Sequence, residues 1–231
     1  MNKSIEAVLA NTDLTQHKTL NDIVYEAFFK TIVGGSIPAG ERINEKEYSE
    51  KMHISRTPIR YAMKLLEHDG LVEYVPKFGM VVKQITCDDA LEIFAIRKSL
   101  DTLATITAMK KMSEADFDEL DQLLALTEKA SAEGDSDRVT ELFHTFHKFI
   151  SDKSGMIRLK EITTRMQEYL VRFRCVSLRD GVRCEIAIGE HRQMYEAMRN
   201  KDEDKLREII DSHLDGALQF TLQTMKREEG E

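Results

Sequence analysis

The chain has 231 residues, of which 42% are hydrophobic and 32% are charged. That length allows one large domain or two modest ones, and the composition is typical of a soluble, helix-rich protein. No stretch approaches the roughly 18 apolar residues of a membrane span, and residues 1–17 lack the features of a signal peptide. The three cysteines form no C-x-x-C pair, which indicates reduced thiols. We therefore expect a cytoplasmic protein with no membrane partner.

The net charge of −8 is unevenly distributed along the chain. Residues 1–85 carry 11 basic and 11 acidic side chains, whereas residues 86–231 carry 22 basic and 30 acidic ones. The acidic excess belongs entirely to the second part. An acidic total therefore does not exclude nucleic-acid binding by the first part, because such binding requires only a local basic face.

The first part predicts three helices followed by a β-hairpin. Apolar residues recur at helical spacing over residues 20–28, and a short helix is predicted over residues 45–52. A third helix begins near Arg56, where Ser55 or Thr57 can cap it, and it ends at Asp69-Gly70. Two short apolar segments on either side of residues 76–79 then indicate the hairpin. This order is typical of a winged helix-turn-helix.

The second part predicts helices throughout, about six of them, which favours an all-α antiparallel bundle. A capping-box pattern at residues 113–116 starts one of these helices. Five apolar residues are predicted to form the inner face of the first helix: Ile93, Ile96, Leu100, Leu103 and Ala104. We therefore predict a mainly α protein with an N-terminal arm (1–17), a winged helix-turn-helix domain (18–84) and an all-α domain (85–231).

The start of the third helix is the candidate DNA-reading element. The N-terminal residues of a recognition helix enter the major groove, and Arg56 and Arg60 share one helical face because they are four residues apart. A guanidinium group can contact guanine O6 and N7 or grip a phosphate. Lys46 and Lys77 suit phosphate contacts. Two arginines on a helix are by themselves ordinary solvated charges, but the helix-turn-helix-wing order favours DNA binding.

Residues 20–83 resemble the DNA-binding domain of the GntR family of bacterial regulators. The resemblance is carried by GSIPAGERI (35–43), ISRTPIR (54–60), LEHDGLV (66–72) and PKFGMVV (76–82). It implies that Arg56 and Arg60 contact operator DNA, helped by Ser55, Thr57 and Lys46. It also implies that the wing tip at Phe78-Gly79 enters the minor groove. Tyr61 departs from the family, which usually has glutamate at that position.

Residues 88–225 resemble the FadR-type FCD subgroup of this family, through IRKSLD (96–101), FHKFI (146–150), EHR (190–192) and SHL (212–214). Imidazole is a common metal ligand, yet spacing alone leaves His147, His191 and His213 as ordinary core or surface histidines. The resemblance implies that they bind a divalent metal, zinc or nickel. The family's fourth ligand is an aspartate where this chain has Phe143, and His144 either substitutes for it or packs in the core.

Arg97 is the candidate effector-binding residue. Its spacing from Asp101 is compatible with a surface ion pair between residues i and i+4, whereas the resemblance implies that Arg97 faces a pocket and grips an acidic effector. Arg172 and Arg174 are further candidates on charge alone.

The resemblance therefore implies a ligand-responsive transcriptional regulator, a homodimer that binds operator DNA and a small organic acid, with residues 85–231 as its sensor and dimerisation domain. Repression and activation both stay open. Two alternatives stay open at this stage. A metal with three histidine ligands can activate water in an enzyme, but no catalytic motif accompanies the histidines and the first 85 residues would have no role. A regulator with a vestigial sensor that acts only as an interaction module is the other alternative.

Overall fold

A computed structural model of the chain describes residues 2–171 and 181–229. Arg172 and Arg174 lie outside the described residues. The chain divides into two compact units, Met1–Ile85 and Thr86–Glu231. No helix among the described residues is long and apolar enough to span a lipid bilayer.

The first unit contains four helices and a small sheet, which confirms the winged helix-turn-helix prediction. Its helices are α1 (Lys3–Ala10), α2 (Leu20–Val33), α3 (Glu45–Lys51) and α4 (Arg56–His68). Its strands are β1 (Arg42–Ile43), β2 (Val72–Val75) and β3 (Gly79–Val82), which form an antiparallel sheet in the order β1-β3-β2. The strand β1 is too short for its alternation to be recognised in the sequence.

The core of the first unit lies between α2, α3 and α4. Phe28 and Tyr48 are almost completely buried, and their rings lie 4.8 Å apart. Ile59 and Leu66 bury the inner face of α4, which leaves the opposite face of that helix in solvent. The segment expected only as an N-terminal arm contains helix α1, whose Ile5 and Val8 are fully buried.

The second unit is all-helical, as predicted. The described residues form six helices here: α5 (Cys87–Lys111), α6 (Glu114–Ala132), α7 (Ser136–Ser154), α8 (Ile157–Tyr169), α9 (Gly181–Arg199) and α10 (Glu203–Glu229). The predicted capping box at the start of α6 is present, because Ser113 and Asp116 exchange side-chain and backbone hydrogen bonds. Helix α5 packs against α7, α8 and α10, and α9 packs against α6 and α10.

The predicted inner face of α5 is wrong at two positions. Ile96 and Leu103 are 37% and 47% exposed, whereas Arg97 is buried. The reason is that α5 packs against several helices at once, so its buried surface is wider than one apolar stripe and includes polar residues. Thr105 is one of these, and its hydroxyl donates to the Asp101 carbonyl 2.7 Å away. The side of α5 that faces the bundle therefore carries a cation and hydroxyl groups.

Candidate metal centre and DNA-reading surface

The second unit brings three histidines together from three different helices. His147 lies on α7, His191 on α9 and His213 on α10. Their potential ligand atoms lie within 4.8 Å of one another. The ring of His191 is central, with its centroid 4.8 Å from that of His147 and 5.0 Å from that of His213. Residues separated by 66 positions in the sequence therefore form one cluster.

His191 is the most deeply buried histidine of this cluster. It is only 1% exposed, and neither Nδ1 nor Nε2 has a hydrogen-bond partner. Burial, followed by the neighbouring charges of His147, His213 and Arg183, holds the pKa of His191 well below its usual range. The ring is therefore neutral, and neutral imidazole is the form that ligates metals. A buried polar group without a hydrogen-bond partner lowers the free energy of unfolding by about 1–3 kcal/mol. A ligand that binds the nitrogens of His191 would remove this penalty.

Glu190 and Arg183 hold His213 in place. Glu190 Oε2 lies 2.7 Å from His213 Nδ1 and accepts a hydrogen bond from Arg183 Nη1 at 3.0 Å. Arg183 Nη2 also donates to the carbonyl of His213. Burial opposes ionisation of Glu190, but the hydrogen bond from His213 and the charges of His213 and Arg183 outweigh it, so the pKa of Glu190 is lowered. An ionised Glu190 keeps the proton on Nδ1 and leaves Nε2 of His213 available to a metal.

Two aromatic rings close the cluster on the side of α7. Phe146 stacks on His191 at a centroid distance of 4.4 Å, and Phe143 meets the same ring edge-on at 4.6 Å. Phe143 is also part of an apolar core that includes Leu142 and Cys184. The position at which the family resemblance implies a metal-binding aspartate is therefore filled by packing. His144 is exposed and is not among the three clustered histidines.

Arg97 lies in the wall of the same cavity as the histidines. It is both ion-paired and buried: Nη2 lies 3.1 Å from Asp101 Oδ2, and the two side chains are 9% and 18% exposed. Its guanidinium carbon lies 5.3 Å from the centroid of the Phe94 ring, within reach of a cation–π contact. The ion pair predicted from spacing is thus present, but its Arg97 is buried and lines a cavity instead of lying on the surface.

This cavity, which we call the central cavity, has a volume of about 70 Å³, enough for a few water molecules or one small polar group. The described residues that line it are Phe94, Arg97, Phe143, His144, His147, Gln167, Leu170, Arg183, Ala187, His191, His213, Leu214, Ala217 and Thr221. A second cavity of about 150 Å³, the side cavity, shares His144, His147 and Gln167 with it. The other described residues that line the side cavity are Lys148, Ser151, Lys160, Thr163 and Thr164. The central cavity has both polar and apolar walls, whereas the described side chains that line the side cavity are all polar.

In the first unit, the start of α4 is exposed, as a DNA-reading helix requires. Ser55 is the N-cap residue but makes no side-chain capping bond, so its hydroxyl is left for other partners. Arg56, Thr57 and Arg60 are exposed, while Pro58 and Ile59 between them are buried. The polar side of the first two turns of α4 therefore lies in solvent.

One carboxylate joins the two arginines. Glu45, the first residue of α3, accepts a hydrogen bond from Arg56 Nη2 at 3.1 Å and from Arg60 Nε at 2.9 Å, both on Oε2. Glu45 is 23% exposed, compared with 47% and 60% for the two arginines. No sequence signal singled out Glu45, because the contact depends on how α3 packs against α4.

The wing is the hairpin of β2 and β3. Val75 pairs with Gly79, and the three residues between them form the tip. Lys77 has φ = 72° and Gly79 has φ = 92°, so both lie in the left-handed region that glycine adopts readily. Phe78 between them is 63% exposed. Lys46 on α3 is also exposed and lies 3.8 Å from Glu50.

Comparison with protein families identifies the chain. A model of the FCD domain matches residues 92–216, and a model of the bacterial regulatory proteins of the gntR family matches residues 20–82. The chain belongs to the GntR family of bacterial transcriptional regulators, in its FCD subfamily. Both families consist of transcriptional regulators, so this GntR-family protein is a regulator and not an enzyme.

Individual relatives agree with this assignment. The GntR-family chain is 30% identical over 82% of its length to the uncharacterized HTH-type transcriptional regulator YdhC of Bacillus subtilis, of which the match covers 85%. It is 23% identical over 88% of its length to the HTH-type transcriptional repressor RspR of Escherichia coli, of which 89% is covered. The solved structure of E. coli McbR/YncC matches 90% of this chain and 99% of that one with a TM-score of 0.70 at 20% identity, which supports the fold.

Proposed function

We propose that this regulator binds a divalent metal ion through His147, His191 and His213 and uses that centre to sense a small carboxylate. The observation that carries the proposal is His191, which is 1% exposed with two unpartnered ring nitrogens and lies between the two other histidines. Burying imidazole nitrogens without hydrogen-bond partners destabilises the fold, but a ring in this position is well placed to bind a metal.

The donor set fits a borderline metal ion. Three imidazole ligands suit zinc or nickel, whereas magnesium and calcium prefer oxygen ligands. The hydrogen bond between His213 and Glu190 is the outer-shell contact that metal-binding histidines usually make. A bound ion would supply positive charge and open coordination positions for an anion. Because Phe143 supplies no carboxylate, that charge would be neutralised less than in a centre with an aspartate.

The charged groups around the central cavity favour an acidic effector. Arg97 and Arg183 both line it; Arg97 forms an ion pair with Asp101, and Arg183 forms one with Glu190. A carboxylate effector would form charge-assisted hydrogen bonds with Arg97 and complete the coordination of the metal. The adjoining polar side cavity suits hydroxyl groups, so a hydroxy acid or a sugar acid is the effector class that the lining favours.

The exposed face of α4 is the proposed base-reading surface. Arg56 and Arg60 would contact guanine, with Ser55 and Thr57 beside them, and Lys46 and Lys77 would contact phosphates. The wing tip at Phe78-Gly79 would approach the minor groove. A homodimer would read two half-sites of a palindromic operator. The relative RspR is a transcriptional repressor, which favours repression as the outcome of binding.

Elemental analysis of the purified protein, combined with a thermal-shift screen of hydroxy acids and sugar acids with and without chelator, tests the sensor proposal. We expect about one zinc or nickel per chain and an acid that raises the melting temperature only while metal is present. A metal-free protein that responds to neither zinc, nickel nor manganese would overturn it. Such a result would favour a vestigial sensor, which the aromatic packing of Phe143 against His191 would then explain.

A further inference from the structure

We propose that Glu45 determines how strongly this regulator distinguishes its operator from other DNA, by holding Arg56 and Arg60 and by repelling phosphates. The proposal rests on the DNA-reading role proposed above for the two arginines. It starts from one observation: a single carboxylate oxygen, Glu45 Oε2, accepts hydrogen bonds from both guanidinium groups.

The atoms that Glu45 engages leave the arginines able to read bases. Arg60 uses Nε, so both of its terminal nitrogens stay available for a two-point contact with guanine O6 and N7. Arg56 uses Nη2 and keeps Nη1 and Nε. Arginine side chains otherwise lose considerable rotamer freedom when they bind. Because Glu45 restrains both arginines in the free protein, part of this side-chain entropy is already lost before DNA binds.

The charge of Glu45 acts differently on specific and nonspecific DNA. Nonspecific binding is almost entirely attraction between cations and phosphates. A carboxylate between Arg56 and Arg60 halves their combined positive charge and repels phosphates directly. Base edges carry no net charge, so Glu45 opposes base reading less than it opposes phosphate binding. Its carboxylate is also the acceptor type that suits a cytosine amino group. Glu45 is therefore expected to weaken nonspecific binding more than operator binding.

Three variants separate charge from positioning. Glu45→Gln removes the negative charge and weakens both hydrogen bonds. Glu45→Asp keeps the charge but shortens the side chain by one methylene, so one carboxylate no longer reaches both arginines. Glu47→Gln is the matched control: it removes the same charge from the same first turn of α3, and it is not a partner of Arg56 or Arg60 in the described structure. Glu45→Gln and Glu47→Gln also lose a comparable interaction with the helix dipole.

The probes are a duplex enriched by the full-length wild-type protein from a random-sequence library and a scrambled duplex of the same composition. Binding of both is measured by fluorescence anisotropy across a series of salt concentrations, after circular dichroism has shown that each variant is folded. For Glu45→Gln we expect tighter binding to the scrambled duplex, a salt slope steeper by roughly 0.9, as for one added phosphate contact, and an enriched-to-scrambled ratio that falls about tenfold. For Glu45→Asp we expect unchanged scrambled binding and weaker enriched binding.

Two results would overturn the proposal, and they differ in what else they affect. If Glu45→Gln shifts both duplexes by the same factor, as Glu47→Gln is expected to do, Glu45 contributes only general charge and the DNA-reading role of the arginines still stands. If the wild-type protein enriches no duplex at all, both the proposed DNA-reading surface and the role of Glu45 are wrong.

Discussion

Phe143 meets the imidazole of His191 edge-on, with the ring centroids 4.6 Å apart and the planes at 84°. This places an apolar ring at the position where the family resemblance implies a metal-binding carboxylate. Phe143 is 5% exposed and packs with Leu142 and Cys184. The candidate metal centre therefore has an apolar wall beside an imidazole whose nitrogens have no hydrogen-bond partner.

Metal should reverse the order of stability between the wild type and His191→Leu. In the presence of chelator, the variant should be at least as stable as the wild type, because it removes a buried imidazole with two unsatisfied nitrogens. With zinc or nickel at 100 times the dissociation constant, the wild type should gain about 2.7 kcal/mol and the variant nothing. Urea unfolding under both conditions measures this. His144→Ala, which alters a histidine outside the cluster, should retain the metal response; the same loss in both variants would contradict the assignment.

Phe143→Asp should strengthen metal binding and lower the stability of the metal-free protein. Removal of the buried Phe143 ring should cost about 3–5 kcal/mol in chelator, as for other aromatic residues in cores, because the apolar cluster around it loses contacts. The gain in stability on adding metal should be larger for the variant than for the wild type, since the new carboxylate can act as a metal ligand. Isothermal titration with zinc and urea unfolding report the two effects separately. Phe143→Asn is the control, and equal metal affinities for Asp and Asn would mean that this position does not reach the ion.

Glu190→Gln should lower metal affinity about 10- to 100-fold, which is typical for the loss of an outer-shell carboxylate. The hydrogen bond to His213 Nδ1 can survive in the variant, but the negative charge that stabilises the Nδ1–H tautomer is lost. Nitrogen NMR of the histidine rings should show a mixture of tautomers for His213. Glu185→Gln changes an exposed residue on the same helix and should alter neither the metal affinity nor the tautomer of His213. An unchanged tautomer together with weaker binding would assign Glu190 a purely structural role.

Arg56→Ala and Arg60→Ala should each cost about 1–3 kcal/mol in operator affinity if the arginine pairs with guanine. Lys77→Ala should instead weaken binding to all duplexes alike, because phosphate contacts carry no sequence information directly. Lys64→Ala is the control, since Lys64 is exposed on α4 beyond its first two turns. Footprints of both arginine variants that match the wild type would rule out α4 as the reading helix.

The sequence and the structure differ where long-range packing decides the outcome. Local signals were sufficient for the capping box of Ser113 and Asp116 and for the hairpin, because their contacts lie within a few residues. The meeting of His147, His191 and His213 was expected only through resemblance, since helical spacing does not say which faces converge. Glu190 belongs to the EHR motif (190–192) that carries the family resemblance, but its hydrogen bond to His213 depends on the packing of α9 against α10.

Asp101 and the effector should compete for Arg97. The Arg97 guanidinium donates through Nε and Nη2 to Asp101 Oδ2, at 3.3 and 3.1 Å, in the wall of the central cavity. An acid that grips Arg97 must share or displace that carboxylate. Arg97→Ala should therefore weaken binding of the most stabilising acid from the thermal-shift screen, whereas Asp101→Asn should strengthen it. Isothermal titration measures both, and Arg97→Lys, which keeps the charge but loses the two-point geometry, should fall between wild type and Arg97→Ala.

The same titrations carried out with and without operator test whether this pocket controls DNA binding. Effector can shift the DNA-competent population only through its different affinity for two arrangements of the protein. The coupling is typically about 1–3 kcal/mol and must be reciprocal, so operator should change effector affinity by the factor by which effector changes operator affinity. Arg97→Ala should leave effector-free operator binding near the wild-type value, because it lies outside the DNA-reading unit. An effector affinity that is identical with and without operator would show that this acid binds without acting as the signal.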